Sequence, residues 1–483
     1  KPLKLRRDWV ARHPTMASAA KKAKTDGEKQ EEKEELAEKK DGTEGTTEEK
    51  EPGEPGPPPE LEQDAAANKG AKVKEPVTFQ QQDTTMNCVL SAFGSMIMPL
   101  TDGGLQFLLA GARASVGVKS GRYMFEVKVL EIMNPAEDAV ARQRAPQPRN
   151  QLRVGFSVAG SSLFLGDSED SVCFDMEGAL THNRKKEACS QKFGQGDVVA
   201  VLINRDSKSP NHNTISLFKN GVRACQPQAL PESLKDKELF PAVTFKNLTF
   251  HYNFGPTPLR PLPFVCHMLK DILAKDSALA VPEKPKDGKH EVLFPVALPD
   301  EGTFDGLDFF LEGHRQHTEL SDRAILAWAQ NSGLTQTKQA KTSNDKPEMG
   351  FGIPMMDDGS VRRVLNAVAP IQQRSYVVME VKANLLKDDR KEALAKWGAA
   401  GFKRTAAVMM GEPPAPLKKR ILELALRAKQ EASDTEFKAK KAEEKRKKLL
   451  EKRQKQLEKE RKKAAKAAKK KQEALRKRLE EEK

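Results

Sequence analysis

Between residues 76 and 265 the chain offers only short apolar or alternating runs, separated by turn residues every ten or so positions. They are TTMNCVLS, LQFLLAG, GRYMFEVKVLEI, QLRVGFSV, DSVCFDM, GDVVAVLIN, TISLFKNG, LFPAVTFK and LTFHYNFG. Runs this short and this regularly interrupted cannot make helices long enough to pack, so the spacing predicts an all-β sandwich. In GRYMFEVKVLEI, Tyr123, Phe125, Val127 and Val129 share one strand face and Met124, Glu126 and Lys128 the other. Asn220-Gly221 after TISLF reads as the centre of a hairpin turn. The polar stretch at 132–150 reads as an insertion between two strands.

A second pattern starts near residue 289. HEVLFPVALP and SYVVMEV read as buried strands, and RTAAVMMG as a third. LDFFLEGH, RAILAWAQNSG, VRRVLNAVAPIQQ and KEALAKWGAAG have helical spacing. Strands alternating with helices imply a parallel α/β unit. From PLKKRILELALRAK to the end neither Gly nor Pro follows, which predicts a long charged helix. The last 50 or so residues would reach roughly 70 Å. Leu450, Leu457, Ala464, Leu475 and Leu479 form fragments of a coiled-coil seam, interrupted by Lys471. A single solvated helix and a coiled coil are both compatible with that pattern.

Charge divides the 483 residues further. The formal net charge is +14, but residues 1–20 carry +4, 21–74 carry −5, 75–435 carry +3 and 436–483 carry +12, from 22 basic and 10 acidic side chains. The basic character therefore belongs to the tail. KPLKLRRDWVARHPT before Met16 reads either as an Arg-bearing transit segment or as translated leader. The organisation expected is a disordered acidic arm and Pro/Gly linker at 1–75, a β-sandwich at 76–265, a linker at 266–288, an α/β domain at 289–430 and a basic helix at 431–483.

Cys88, Cys173, Cys189, Cys225 and Cys266 are scattered without a CxxC pair or a neighbouring His cluster, so no zinc module or disulfide framework is expected and a reducing compartment is. No apolar run approaches the roughly 18 residues that span a bilayer, so a membrane partner is not expected. His314 and His317 could supply half a metal site, but no third ligand stands near, and no metal is assigned.

LLAGARASVGVKSGRYMFEVKVLE, LRVGFSV, FGQGDVVAVLIN, ISLFKNGV and LFPAVTFKNLTFHYNFG, in that order, resemble a SPRY domain. More narrowly they are similar to that of heterogeneous nuclear ribonucleoprotein U and its like proteins. The resemblance implies a bent sandwich whose loops bind a protein partner. Gly111 and Gly117 are expected to bracket a turn, and Gly194, Gly196 and Gly255 to sit in tight turns. Arg113 either braces a loop or presents its guanidinium to an acidic partner, and is the residue assigned to partner binding. GARASVGVKSG and FGQGD also resemble the SPRY subunit of histone methyltransferase complexes. That likeness implies a chromatin scaffold as the alternative.

In proteins like ribonucleoprotein U the sandwich is followed by a P-loop kinase-like domain, which KHEVLFPVALPDEGTF and residues 375–412 resemble. That family's phosphate loop needs glycines, a Lys and a Ser/Thr. Here Ala297 and Asp300 replace glycines, Gly302 is kept, and Thr303 and Phe304 stand where the Lys and the Ser/Thr belong. Asp300 and Glu301 would repel nucleotide phosphates. The loop is therefore read as degenerate, with no cofactor and no enzyme activity; an active kinase or ATPase would have to bind nucleotide without the Lys.

The tail carries seven bases and no acid between Arg461 and Lys471: Arg461, Lys462, Lys463, Lys466, Lys469, Lys470 and Lys471. Such a cluster attracts polyphosphate by counterion release without reading sequence. The function expected is that of a nuclear RNA-associated adaptor, with a cytoplasmic location also compatible, binding RNA through the tail and protein through the SPRY loops.

Overall fold

The computed structural model describes residues 60 and 62–481, apart from 93, 134–148, 281–284, 297–302, 337–348, 354–355, 357–358, 380–386 and 409–414. The readings made for residues 1–59 and for most of the 132–150 insertion lie outside the described residues.

Residues 79–253 fold into two facing antiparallel sheets. One has seven strands, in the order Phe79–Thr84, Ala110–Ala114, Phe240–Lys246, Gln151–Ser157, Ser171–Asp175, Ala179–His182 and Lys185–Ala188. The main path of the other runs Val222–Arg223, Thr214–Lys219, Val198–Arg205, Gly121–Ile132, Leu248–Asn253, Met96–Pro99 and Cys88–Leu90. The alternation in Gly121–Ile132 sets its register. Tyr123, Phe125 and Val127 stand opposite Ile203, Val201 and Val199, and all six side chains enter the core between the sheets. Phe125 meets Phe156 of the facing sheet edge-on, with ring centroids 5.5 Å apart. Such a pair adds about 0.5–1.5 kcal/mol beyond the area it buries. Asn220 and Gly221 both have positive φ, 51° and 87°, and close the hairpin between Lys219 and Val222.

Two boundaries differ from the expectation. Residues 60–75 lie on the sandwich: Glu62 pairs with Arg122 at 2.8 Å, Asp64 accepts from the Val265 amide at 2.7 Å, and Lys72 bridges to Leu273. Residues 266–279 are not a linker either. His267–Met268 pairs with Gly121–Ile132, and Ser277–Leu279 pairs with Val116–Val118. Gly111 and Gly117 lie within the strands Ala110–Ala114 and Val116–Val118, either side of a bend at Ser115. A Cβ on Gly111 would lie 2.7 Å from the Leu163 carbonyl oxygen and one on Gly117 2.9 Å from the Phe240 ring, so close approach excludes a side chain at both.

The α/β unit has four parallel strands in the order His317–Leu320, Ser375–Val378, His290–Val296 and Phe402–Val408. Helices Thr303–Gly313, Asp322–Asn331, Ser360–Val368 and Lys387–Ala395 connect or flank them. Ser321 caps the second of these helices, accepting from the Ala324 amide at 3.1 Å. His317 begins a strand. Met86, Leu105, Phe107 and Leu108 of the sandwich share one core with Phe294, Tyr376 and Trp397 of the α/β unit. The two therefore form a continuous body. Its last element is a 67-residue helix, Ala415–Glu481, which is anchored by buried Leu417 and an Arg420–Glu312 ion pair and is otherwise almost wholly exposed. At about 1.5 Å per residue it extends roughly 100 Å, longer than expected because it continues unbroken from the α/β unit.

Candidate functional site

Arg113 enters from strand Ala110–Ala114 and is fully buried. Its Nε donates to Ser157 Oγ at 2.9 Å, its Nη2 to the Ser161 carbonyl at 2.6 Å, and its Nη1 faces Asp83 at 3.3 Å. Burial lowers the Arg113 pKa and the Asp83 carboxylate opposes that shift, while burial pushes Asp83 up against the pull of Arg113 and Arg374. The guanidinium is thus spent on bracing the loop at 158–167. It is not itself a contact surface, which corrects its assignment to partner binding. Thr244 and Arg153 hold the same loop from below: Thr244 Oγ1 donates to the Leu163 carbonyl at 2.7 Å, and Arg153 pairs with Asp167 at 2.9 Å.

The braced loop presents Leu163 and Phe164 to a cavity of about 430 Å³ between the sandwich and the α/β unit. Met86, Ile325 and Trp328 add apolar wall, while Asn331, Arg362 and Asn366 supply polar groups. Leu320 and Val378, the last residues of two adjacent parallel strands, also line it. A mostly apolar hollow with a few convergent polar groups can take one bulky side chain of a partner. Sequence reasoning missed this cavity, because its walls come from segments spread between Gln82 and Val378.

The sheet order puts His290–Val296 between the third and fourth strands of the unit, so the carboxyl end of that strand lies where the crossovers diverge. Ligands of open α/β sheets bind at such a switch point. Ala297, Asp300 and Gly302 lie outside the described residues. Thr303 and Phe304 begin the helix Thr303–Gly313. Met379, which follows the strand Ser375–Val378, is buried among Leu293, Leu307 and Val377. His314 and His317 are 5.7 Å apart between ring centroids. His314 Nδ1 is 2.8 Å from the Phe310 carbonyl and His317 Nε2 is 3.2 Å from Glu291, and no group of three or more potential metal ligands occurs among the described residues.

Arg461, Lys462, Lys463, Lys466, Lys469, Lys470 and Lys471 are all exposed on the terminal helix, far along the chain from the cavity. Lys462 pairs with Glu458 at 2.7 Å, an exposed i, i+4 contact that contributes little.

The SPRY domain family model matches residues 122–257. Residues 122–257 are a SPRY domain. The chain is 29% identical over 253 residues to heterogeneous nuclear ribonucleoprotein U-like protein 2 of Mus musculus, covering 51% of this chain and 32% of that protein. It is 27% identical over 154 residues to the ATP-dependent RNA helicase Ddx1 of Drosophila melanogaster, covering 32% of this chain and 18% of the helicase. The chain thus spans about a third or less of the curated relatives it matches. Among solved structures, the SPRY domain of human HERC1 aligns with 37% of this chain and 99% of its own, at 20% identity and a TM-score of 0.27. The SPRY domain here contains Arg122, whose partner Glu62 lies outside the matched segment, so its working unit is larger than the match. Among the described residues no helix is long and apolar enough to cross a membrane.

Proposed function

We propose that the chain is a nuclear RNA-associated adaptor, in which the SPRY loops bind a protein and the terminal helix binds RNA. The carrying observation is the concentration of +12 formal charge in residues 436–483, where the described residues to 476 are exposed on a helix that continues from a nearly neutral folded body. Two similar proteins are named for ribonucleoprotein and RNA-helicase roles, which supports RNA as the polyanion and a nuclear setting. The α/β unit acts as a degenerate kinase-like support, without nucleotide chemistry, since Thr303 and Phe304 replace the Lys and Ser/Thr of a phosphate loop. The chromatin-scaffold alternative rests on the likeness of GARASVGVKSG and FGQGD to a histone methyltransferase subunit, and Arg113 within the first of these stretches is buried.

The test is RNA binding by the full chain with Arg461, Lys462, Lys463, Lys466, Lys469, Lys470 and Lys471 all changed to Gln. Each phosphate contact on a single strand adds about 0.7 to the slope of log K against log salt. Weaker binding with a shallower slope supports the reading. An unchanged affinity and slope removes it.

A further inference from the structure

Because Ala415–Glu481 is one unbroken helix, the phase of its charges can be followed along its whole length. From Lys441 the lysines recur in steps of four and three, at Lys445, Lys448, Lys452, Lys455 and Lys459, and then at Lys463, Lys466 and Lys470. At about 100° per residue, the 29 residues from first to last complete eight turns to within roughly 20°, over about 44 Å of axis. The nine side chains form a straight cationic line. All nine are exposed, and among the described residues none of them is in a salt bridge. Between Lys440 and Lys470 the paired lysines are others: Lys440 with Glu436 at 2.8 Å, Lys447 with Glu443 at 3.0 Å and, at the edge of the line, Lys462 with Glu458 at 2.7 Å.

The opposite side of the helix carries Glu443, Leu450, Leu457, Ala464 and Ala468. It also carries Arg461, which a helix lying in a lipid surface would have to bury with the leucines. Phe437, one turn before Lys441 and 5.8 Å from its Nζ, is an exposed ring at one end of the line; from Lys441 to Lys470 the line offers only ammonium groups, which meet phosphates as point charges and do not stack bases.

We infer that this lysine line is the RNA contact, one strand lying lengthwise along it and held through its phosphates independently of sequence. The inference rests on the proposed RNA-binding role and adds a geometric requirement: phase along the helix, rather than total charge, sets the affinity.

The experiment uses the full chain and a labelled 30-nucleotide unstructured RNA. Three lysines are moved to the opposite side by paired exchange: Lys448→Leu with Leu450→Lys, Lys455→Leu with Leu457→Lys, and Lys466→Ala with Ala464→Lys. Composition, charge and helix content are kept, the last checked by circular dichroism. The exchange is expected to weaken binding at least tenfold near physiological salt and to lower the salt slope by about two. A second RNA of unrelated sequence should behave the same way. Equal affinity and slope before and after exchange overturn the inference while leaving RNA binding by the tail intact. If the seven-residue Gln variant binds RNA as well as the unmodified chain, the underlying reading fails instead. Binding to anionic vesicles that survives the exchange, with none to RNA, overturns both.

Discussion

Arg374, at the start of the strand Ser375–Val378, donates from Nη1 to the Thr84 carbonyl at 2.8 Å and from Nη2 to Thr84 Oγ1 at 2.9 Å. The two residues are 290 positions apart, and one belongs to the sandwich while the other belongs to the α/β unit. Gln372 donates to the Met86 carbonyl at 2.8 Å and Trp328 Nε1 to the Leu109 carbonyl at 2.8 Å across the same seam. Arg374→Met removes a buried charge-assisted donor and leaves acceptors unmet. A loss of about 3 kcal/mol is expected. Denaturant unfolding followed by Trp fluorescence should show the single transition moving down or splitting in two; an unchanged midpoint would show that the seam does not depend on this side chain.

Gly111→Ala should cost about 1–3 kcal/mol, because the new methyl group would meet the Leu163 carbonyl oxygen at 2.7 Å and displace the loop that lines the cavity. Gly194→Ala is the comparison. Nothing lies within 4 Å of a Cβ there, and its thermal midpoint should barely move.

Acid should loosen the α/β sheet. Burial lowers the His317 pKa, with the Glu291 carboxylate opposing and His314 adding to the shift, and burial lowers His290 as well. A folded-state pKa below the unfolded value of about 6.5 means that the unfolded chain takes up more protons below that pH. Stability therefore falls as pH drops through and below about 6.5. Unfolding midpoints at pH 7.5 and 5.5 measure the loss, and His317→Gln should flatten the difference.

Millimolar ATP with magnesium should leave the thermal midpoint of the full chain unchanged, since a ligand stabilises only by the ratio of its concentration to its Kd. A rise, abolished by changing Gly302, would restore nucleotide binding to the loop at 297–304.

The sandwich was legible because its strands carry period-two patterns and its turns need Asn-Gly chemistry. The alternation in Gly121–Ile132 did not reveal what covers its second face. Glu126 is fully buried there, accepting from Asn253 Nδ2 at 2.7 Å and from the Leu259 and Arg260 amides at 2.6 and 3.1 Å. Phe264 and Met268 close over Met124 on the same side, from residues that read as the end of a domain and a linker. The strand His317–Leu320 was missed because HTEL has four residues and no apolar alternation. Its place comes from pairing with Ser375–Val378, which a local pattern does not encode. Whether Arg113 braces or binds depended on Asp83 and on Ser157 and Ser161, partners in two segments that the sequence does not bring together.

The shared core also fixes an order of events in the making of the protein. Met86, Leu105, Phe107 and Leu108 leave the ribosome long before Tyr376 and Trp397. At roughly 5–20 residues per second, the sandwich waits on the order of 15–50 s for its apolar flank to be covered. During that interval the nascent chain shows a hydrophobic face that the finished protein hides, and a chain arrested between residues 280 and 370 would keep it. Chaperone demand and degradation of truncated products are therefore written into the seam between the two halves.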